Sequence, residues 1–194
     1  MLHDKPINES INELTNELIN EIQDYVIFKP KTKNKLQEAV NLWCIDKEEA
    51  LIKYGNISDW DTSLIDDMSE LFSKKKEFND NISNWDVSNV KNMTHMFSHA
   101  ILFNQSLNNW NVSNVTNMDY MFFYCKKFNQ PLNNWNVSSV IDMQVMFGLA
   151  SSFNQPLNKW DVSNVKTMSH MFCNASNFNE NISNWNTSNV LSME

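Results

Sequence analysis

Two tetrads, Met93-Thr94-His95-Met96 and Met168-Ser169-His170-Met171, put thioethers and an imidazole at a spacing that a soft metal such as copper could use. The equivalent tetrads Met118-Asp119-Tyr120-Met121 and Met143-Gln144-Val145-Met146 have no histidine. In a stack of repeating layers His95 and His170 fall three layers apart, roughly 14 Å at about 4.8 Å per layer, which is too far to share an ion. The methionine pairs therefore read as core packing, and no metal or cofactor is expected. A second set of donors is Asp61, Asp86, Asn111, Asn136, Asp161 and Asn186. Carboxylates in adjacent layers would repel, and Asp alternates irregularly with Asn, so this column reads as a solvated ladder or part of a recognition face. Ser88, Ser113, Ser138, Ser163 and Ser188 recur in phase, so none stands out as a nucleophile. Neither a nucleophile–base pair nor a glycine-rich phosphate loop is evident, and the chain is expected not to be an enzyme.

Composition narrows the classes further. The formal net charge is -8, and there are 32 asparagines and no arginine. Lys74, Lys75 and Lys76 form the one lysine run, too little for the clustered phosphate contacts of a nucleic-acid binder. Cys44, Cys125 and Cys173 are an odd set without paired spacing, which suggests free thiols in a reducing compartment. The N-terminal residues have neither a basic n-region nor an apolar h-region, and no stretch is apolar enough to span a bilayer. The sequons at Asn81, Asn111 and Asn136 are by-products of a repeat and matter only in a secretory pathway.

These residues are positioned by that repeat. Tryptophan recurs at 60, 85, 110, 135, 160 and 185, always 25 residues apart. Met68, Met93, Met118, Met143, Met168 and Met193 follow in phase, then Leu71, Met96, Met121, Met146 and Met171. Phenylalanine occupies 72, 97, 122, 147 and 172, and again 78, 103, 128, 153 and 178. Within a unit, Trp135 and Val137 alternate around Asn136 as in a strand. Met143, Met146 and Phe147 then keep the three-residue rhythm of a short helical turn. The expected fold is therefore an α/β repeat solenoid of leucine-rich-repeat type, each 25-residue coil carrying one short strand and one short helical turn. A unit of this kind buries its apolar side only against its neighbours, with tryptophan packing on tryptophan. Asn89, Asn114, Ser139, Asn164 and Asn189, with Asn79, Asn104, Asn129, Asn154 and Asn179, should replace glycine at the turns. Asparagine tolerates the left-handed region, and its amide can bond backbone from coil to coil.

The segments FNQPLNNWNVSSVIDMQVMF, FNQSLNNWNVSNVTNMDYMF and KWDVSNVKTMSHMFCNASNFN resemble the BspA-like leucine-rich repeats over about residues 56–194. The preceding LQEAVNLWCIDKEEALIKYGNISDW resembles the lead-in of family members from large DNA viruses of protists. The resemblance implies a repeat surface or interaction protein, an adhesin-type surface lipoprotein in bacteria. The absence of a leader-like start or a lipidation cysteine favours a viral protein of the host cytoplasm or virion over one of the cell surface.

Residues 1–55 read as a helical N-terminal cap and 56–194 as about five and a half repeats. Ser10 with Glu13 opens a first amphipathic helix through Ile11, Leu14, Leu18, Ile22 and Val26, closed by Pro30. Leu36, Val40 and Trp43 mark a second helix; Asp46 with Glu49 caps a third, ended by Gly55. The sixth unit runs from Asn181 to Glu194 and leaves an apolar face for self-association. The expected function is to bind an unidentified protein partner, with end-to-end homo-oligomerisation through that last coil as the alternative. The expected contacts are the Asp/Asn column together with the variable loop 13 to 17 residues after each tryptophan, which reads SKKKE, SHAIL, FYCKK, GLASS and CNASN. Lys75, Leu102, Tyr124 and Lys126 stand for that loop. Nucleic acid and membrane insertion are not expected.

Overall fold

The computed structural model describes residues 27–193; the expected first helix lies outside them. Two helices open the described chain, α1 (Lys33–Ile45) and α2 (Lys47–Tyr54), followed by a 3₁₀ turn, Ile57–Asp59. Thr32 accepts from the Lys35 amide at the start of α1, and Asp46 from the Glu49 amide at the start of α2. Gly55, at φ 69°, ends α2 where a side chain would be strained. α1 buries Leu36, Ala39, Val40 and Trp43 in one continuous core with the first coils. Polar contacts reinforce that packing. Gln37 donates to the Leu71 carbonyl at 3.0 Å, Trp43 Nε1 to Asp80 at 2.9 Å, and Lys33 reaches Asp67 and Ser69.

Beyond Asp59 the described residues form neither helix nor strand. This corrects the expected strand-and-helix coil. Each 25-residue unit is instead a chain of turns, and successive units meet at one isolated parallel bridge: Asp67 with Asn92, then Asn117, Asp142, Thr167 and Ser192 in order. The reason lies in where the amides go. In the Trp-x-Val segment of coil 3, the Ser113 amide donates to the Asn111 side chain and the Val115 amide to the Val112 carbonyl. Bonds spent inside the coil cannot build a ladder between coils.

The Met-x-x-Met segment shows a different division. The amides of Met118, Tyr120, Phe122 and Tyr124 donate to the carbonyls of Asp142, Gln144, Met146 and Gly148, each 24 residues on. Those of Met121, Phe123 and Cys125 close turns onto Met118, Tyr120 and Phe122. The three-residue rhythm is real, yet it reports overlapping i to i+3 turns rather than a helix. Each coil places a left-handed residue ten and fourteen positions after its tryptophan: Glu70 and Lys74, His95 and His99, Tyr120 and Tyr124, Val145 and Leu149, His170 and Asn174. A left-handed residue every fourth position is incompatible with a right-handed helix.

The side chains stack as the phase requires. Trp60 stacks on Trp85 at 6.1 Å, Trp135 on Trp160 at 6.3 Å and Trp160 on Trp185 at 6.4 Å. Two phenylalanine columns run beside them, for example Phe97 on Phe122 at 5.6 Å and Phe103 on Phe128 at 5.9 Å. The asparagine columns bond coil to coil, Asn104 accepting from the Asn129 amide and Asn114 donating to the Ser88 carbonyl. None of these column residues has a positive φ, so they work through their amides and not through left-handed backbone.

Candidate functional site

Left-handed backbone at two places per coil produces two rows of residues along the stack, at the tenth and fourteenth positions. Between them lies the thirteenth position: Ser73, Ser98, Phe123, Gly148 and Cys173. Two hollows follow these rows. One, of about 260 Å³, is lined by Glu70, Lys74, His95, His99, Tyr120 and Phe123, with Ser73 and Ser98. The other, of about 330 Å³, is lined by Tyr120, Phe123, Val145, Gly148, Leu149 and His170, with Gln144, Cys173 and Asn174. They share Tyr120 and Phe123, so one shallow groove crosses five coils. At about 4.8 Å per step its length is about 19 Å.

Aromatic rings crowd the middle of this groove. His95 stacks on Tyr120 at 4.6 Å with the planes 14° apart. His99 and Phe123 pack edge to face at 5.1 Å, and the His99 ring lies 5.2 Å from that of Tyr124. Tyr120 and Phe123 pack edge to face at 5.5 Å, and the Lys126 ammonium sits 4.6 Å above the Tyr124 ring. Partial burial pushes the His99 imidazole below its ordinary range, and Lys74, His95 and Lys76 add positive charge in the same direction. His99 Nδ1 is 3.0 Å from Ser98 Oγ, but Ser98 is only 2% exposed, out of reach of a bulky electrophile.

Gly148 shapes the floor. A Cβ there would fall 2.6 Å from Val145 Cγ1 and 3.1 Å from Phe123 Cδ2. The absence of a side chain at 148 is thus what lets a branched residue occupy the left-handed position in coil 4.

The expected contact residues divide among these features. Tyr124 and Lys126 come together at the rim of the groove. Lys75 is half-buried in a separate hollow beside α1, with Trp43, Cys44 and Asp80. Leu102 is exposed, its amide held by the Lys76 carbonyl. In the Asp/Asn column every member has the same local task. Asp61, Asp86, Asn111, Asn136, Asp161 and Asn186 each accept the amide two residues on, at 2.9–3.2 Å. A carboxylate and an amide oxygen accept equally well there, which explains the irregular alternation. Asp61 differs in one respect: Lys29, 2.7 Å away, and the Ser63 amide hold its carboxyl at about 2.

His99 and Phe123 fall in the variable loop expected to make contacts, whereas His95, Tyr120 and Val145 were not singled out as contact residues from the sequence. A signal for the tenth position was present: between two fixed methionines it reads Glu, His, Tyr, Val and His. The tetrad methionines are buried, Met93 and Met96 at 0% exposure, while His95 turns toward the groove. Among the described residues no group of three or more His, Cys, Asp or Glu side chains is placed to hold a metal ion. Nor is any described helix long and apolar enough to cross a membrane.

No curated protein and no solved structure matches the chain. The family described as "Mycoplasma protein of unknown function, DUF285" matches residues 44–155 and again 108–194, which together span most of the chain. The groove and the tryptophan columns both lie inside the matched region. The chain belongs to this family, which is one of the BspA-like repeat protein group.

Proposed function

We propose that this chain is a non-enzymatic interaction scaffold of the BspA-like kind, and that the groove across its coils is where it holds a protein partner. One observation carries the reading: the residues at the tenth, thirteenth and fourteenth positions, which vary from unit to unit on an otherwise fixed frame, line one groove. Aromatic side chains concentrated on a rigid support are the usual currency of protein recognition. Eight left-handed residues hold that support in place through amide bonds to the next coil. The experiment is site-specific photo-crosslinking. A benzophenone amino acid replacing Tyr120 should capture a protein partner in the native cell, whereas the same residue at Asn136 should not. Equal capture at both sites, or at neither, overturns the reading.

A second reading, end-to-end assembly, is supported by the last coil. Its face holds a hollow of about 630 Å³ lined by Met171, Phe172, Ile182, Trp185 and Met193. A further coil in register would fill it, from a continuation of the chain or from a second copy. Light scattering across a hundredfold range of concentration tests this. A mass that never rises above one chain overturns it.

A further inference from the structure

The groove is graded along its length. Its coil 1–2 end carries Lys74, His95 and His99, with Lys76 close by and Glu70 as the carboxylate among its lining residues. Its middle is Tyr120 and Phe123, with Tyr124 and Lys126 on the rim. Its coil 4 portion is Val145, Gly148 and Leu149. With the His99 imidazole held toward its neutral form, the positive charge at that end is the lysines' own, Lys74 and the nearby Lys76 against Glu70, in a chain of net charge -8. A ligand drawn to that end must carry the opposite sign, and one that fills the other portion must be apolar.

The shape selects among ligand classes. Two joined hollows of about 260 and 330 Å³ are each small or shallow for a compact ligand, but their combined run suits a chain. About 19 Å corresponds to roughly six residues of extended peptide at about 3.3 Å each. Ring orientation argues against stacked bases or flat sugars. Those ligands need free aromatic faces. Here His95 and Tyr120 cover each other, and Lys126 covers a face of Tyr124. Phe123, in edge-to-face contact with His99 and Tyr120, offers an apolar surface suited to aliphatic and proline side chains.

We propose that the groove binds a short extended peptide segment of a partner protein, acidic at the end that meets Lys74, His95 and His99 and apolar at the end that meets Phe123, Val145 and Leu149. This rests on the scaffold reading and names the partner's chemistry.

Fluorescence anisotropy on the 194-residue chain tests it, with fluorescein-labelled octapeptides. The probes are three glutamates followed by proline, leucine, proline, valine and leucine; the reverse order; and both orders with lysine in place of glutamate. At least one glutamate peptide should bind about tenfold more tightly than either lysine peptide, and raising NaCl from 50 to 500 mM should weaken it. Lys74→Glu should weaken binding by about three- to tenfold, and Phe123→Ser by about tenfold or more. Asn136→Ala should leave it unchanged. Lysine peptides binding as tightly, or indifference to both Lys74→Glu and Phe123→Ser, overturns the proposal. Tighter binding of a labelled oligothymidylate or a maltohexaose overturns it too. Should Tyr120 crosslink a protein while the glutamate peptides fail, the scaffold reading stands and the assignment of an acidic peptide falls.

Discussion

Ten described residues other than glycine hold a positive φ, and eight of them spend their amides on a bond to the next coil. A left-handed backbone costs an ordinary L-residue about 1–2 kcal/mol and is least tolerable for a β-branched side chain. Val145 is the β-branched case, and its tolerance depends on Gly148. Gly148→Ala should therefore destabilise the fold by about 1–3 kcal/mol, because the new methyl meets Val145 Cγ1 at 2.6 Å. Val145→Ala in the same chain should restore part of that loss. A double variant no more stable than Gly148→Ala alone, in urea unfolding, would refute the coupling. Asp61 yields a pH prediction. Its carboxyl sits at about 2, below the ordinary 3.8, because Lys29 and the Ser63 amide favour the charged form. The unfolded chain thus binds this proton more readily than the folded one. The contribution is complete above pH 3.8 and is lost as pH falls toward 2. Asp61→Asn should flatten the decline in melting temperature over that interval; an unchanged slope would show that the Lys29 contact adds nothing.

Between single residues and the whole stack, the tryptophan column decides the fit of each coil. From Trp85 onward each indole does two jobs: it packs on its neighbours, and its N–H donates to a carbonyl 28 residues earlier, Trp135 to Leu107 at 2.8 Å. Phenylalanine at 135 keeps much of the packing but removes the indole bond, leaving the Leu107 carbonyl with the Trp110 amide alone. Trp135→Phe should cost about 2–4 kcal/mol by thermal unfolding. Trp185, half-buried and stacked on Trp160 alone within the column, should lose less on the same change. Equal losses at both positions would refute the nearest-neighbour picture. The columns themselves were legible in the sequence, because a strict 25-residue phase leaves an apolar set no other partner. The helices α1 and α2 were legible too, from the Asp46 cap and Gly55, but the local structure of the coils was not. Met143 and Met146 at i and i+3 fit a helical turn and a chain of β-turns equally, and only the amides distinguish them. Glu70, Lys74, Tyr120, Tyr124, Val145 and Leu149 carry no preference for left-handed backbone, so propensity alone did not reveal the two rows that form the groove. What the sequence did show was variation: Tyr124 and Lys126 fall in its variable loop, while the tenth-position row lay hidden between the two methionines.

For the molecule as a whole, the backbone bonds between coils repeat by translation, most of them joining a residue to the one 24 ahead or 25 to 26 behind. Tyr120 bonds Gln144 as His95 bonds Asp119, and Thr116 bonds Lys91 as Ile141 bonds Thr116. A structure with this translational rule has stability approximated by a sum over neighbouring coils. Removing residues 110–134 joins Asn109 to Trp135 and recreates the Asn-Trp step of the intact chain, so every later column keeps its phase. Removing residues 111–134, one fewer, advances each later side chain by one place and sets tryptophan against polar neighbours. The first deletion should still unfold cooperatively, with a moderate loss of stability, while the second should lose cooperative unfolding altogether. The in-register deletion also removes Tyr120, Phe123, Tyr124 and Lys126, the centre of the groove. It should therefore fold and yet fail to bind a glutamate–proline–leucine peptide, separating the scaffold's stability from its recognition. Circular dichroism and anisotropy on the two deletions decide both points: equal collapse of the two would mean that the coils are not interchangeable units, and full peptide binding by the in-register deletion would place recognition elsewhere on the stack.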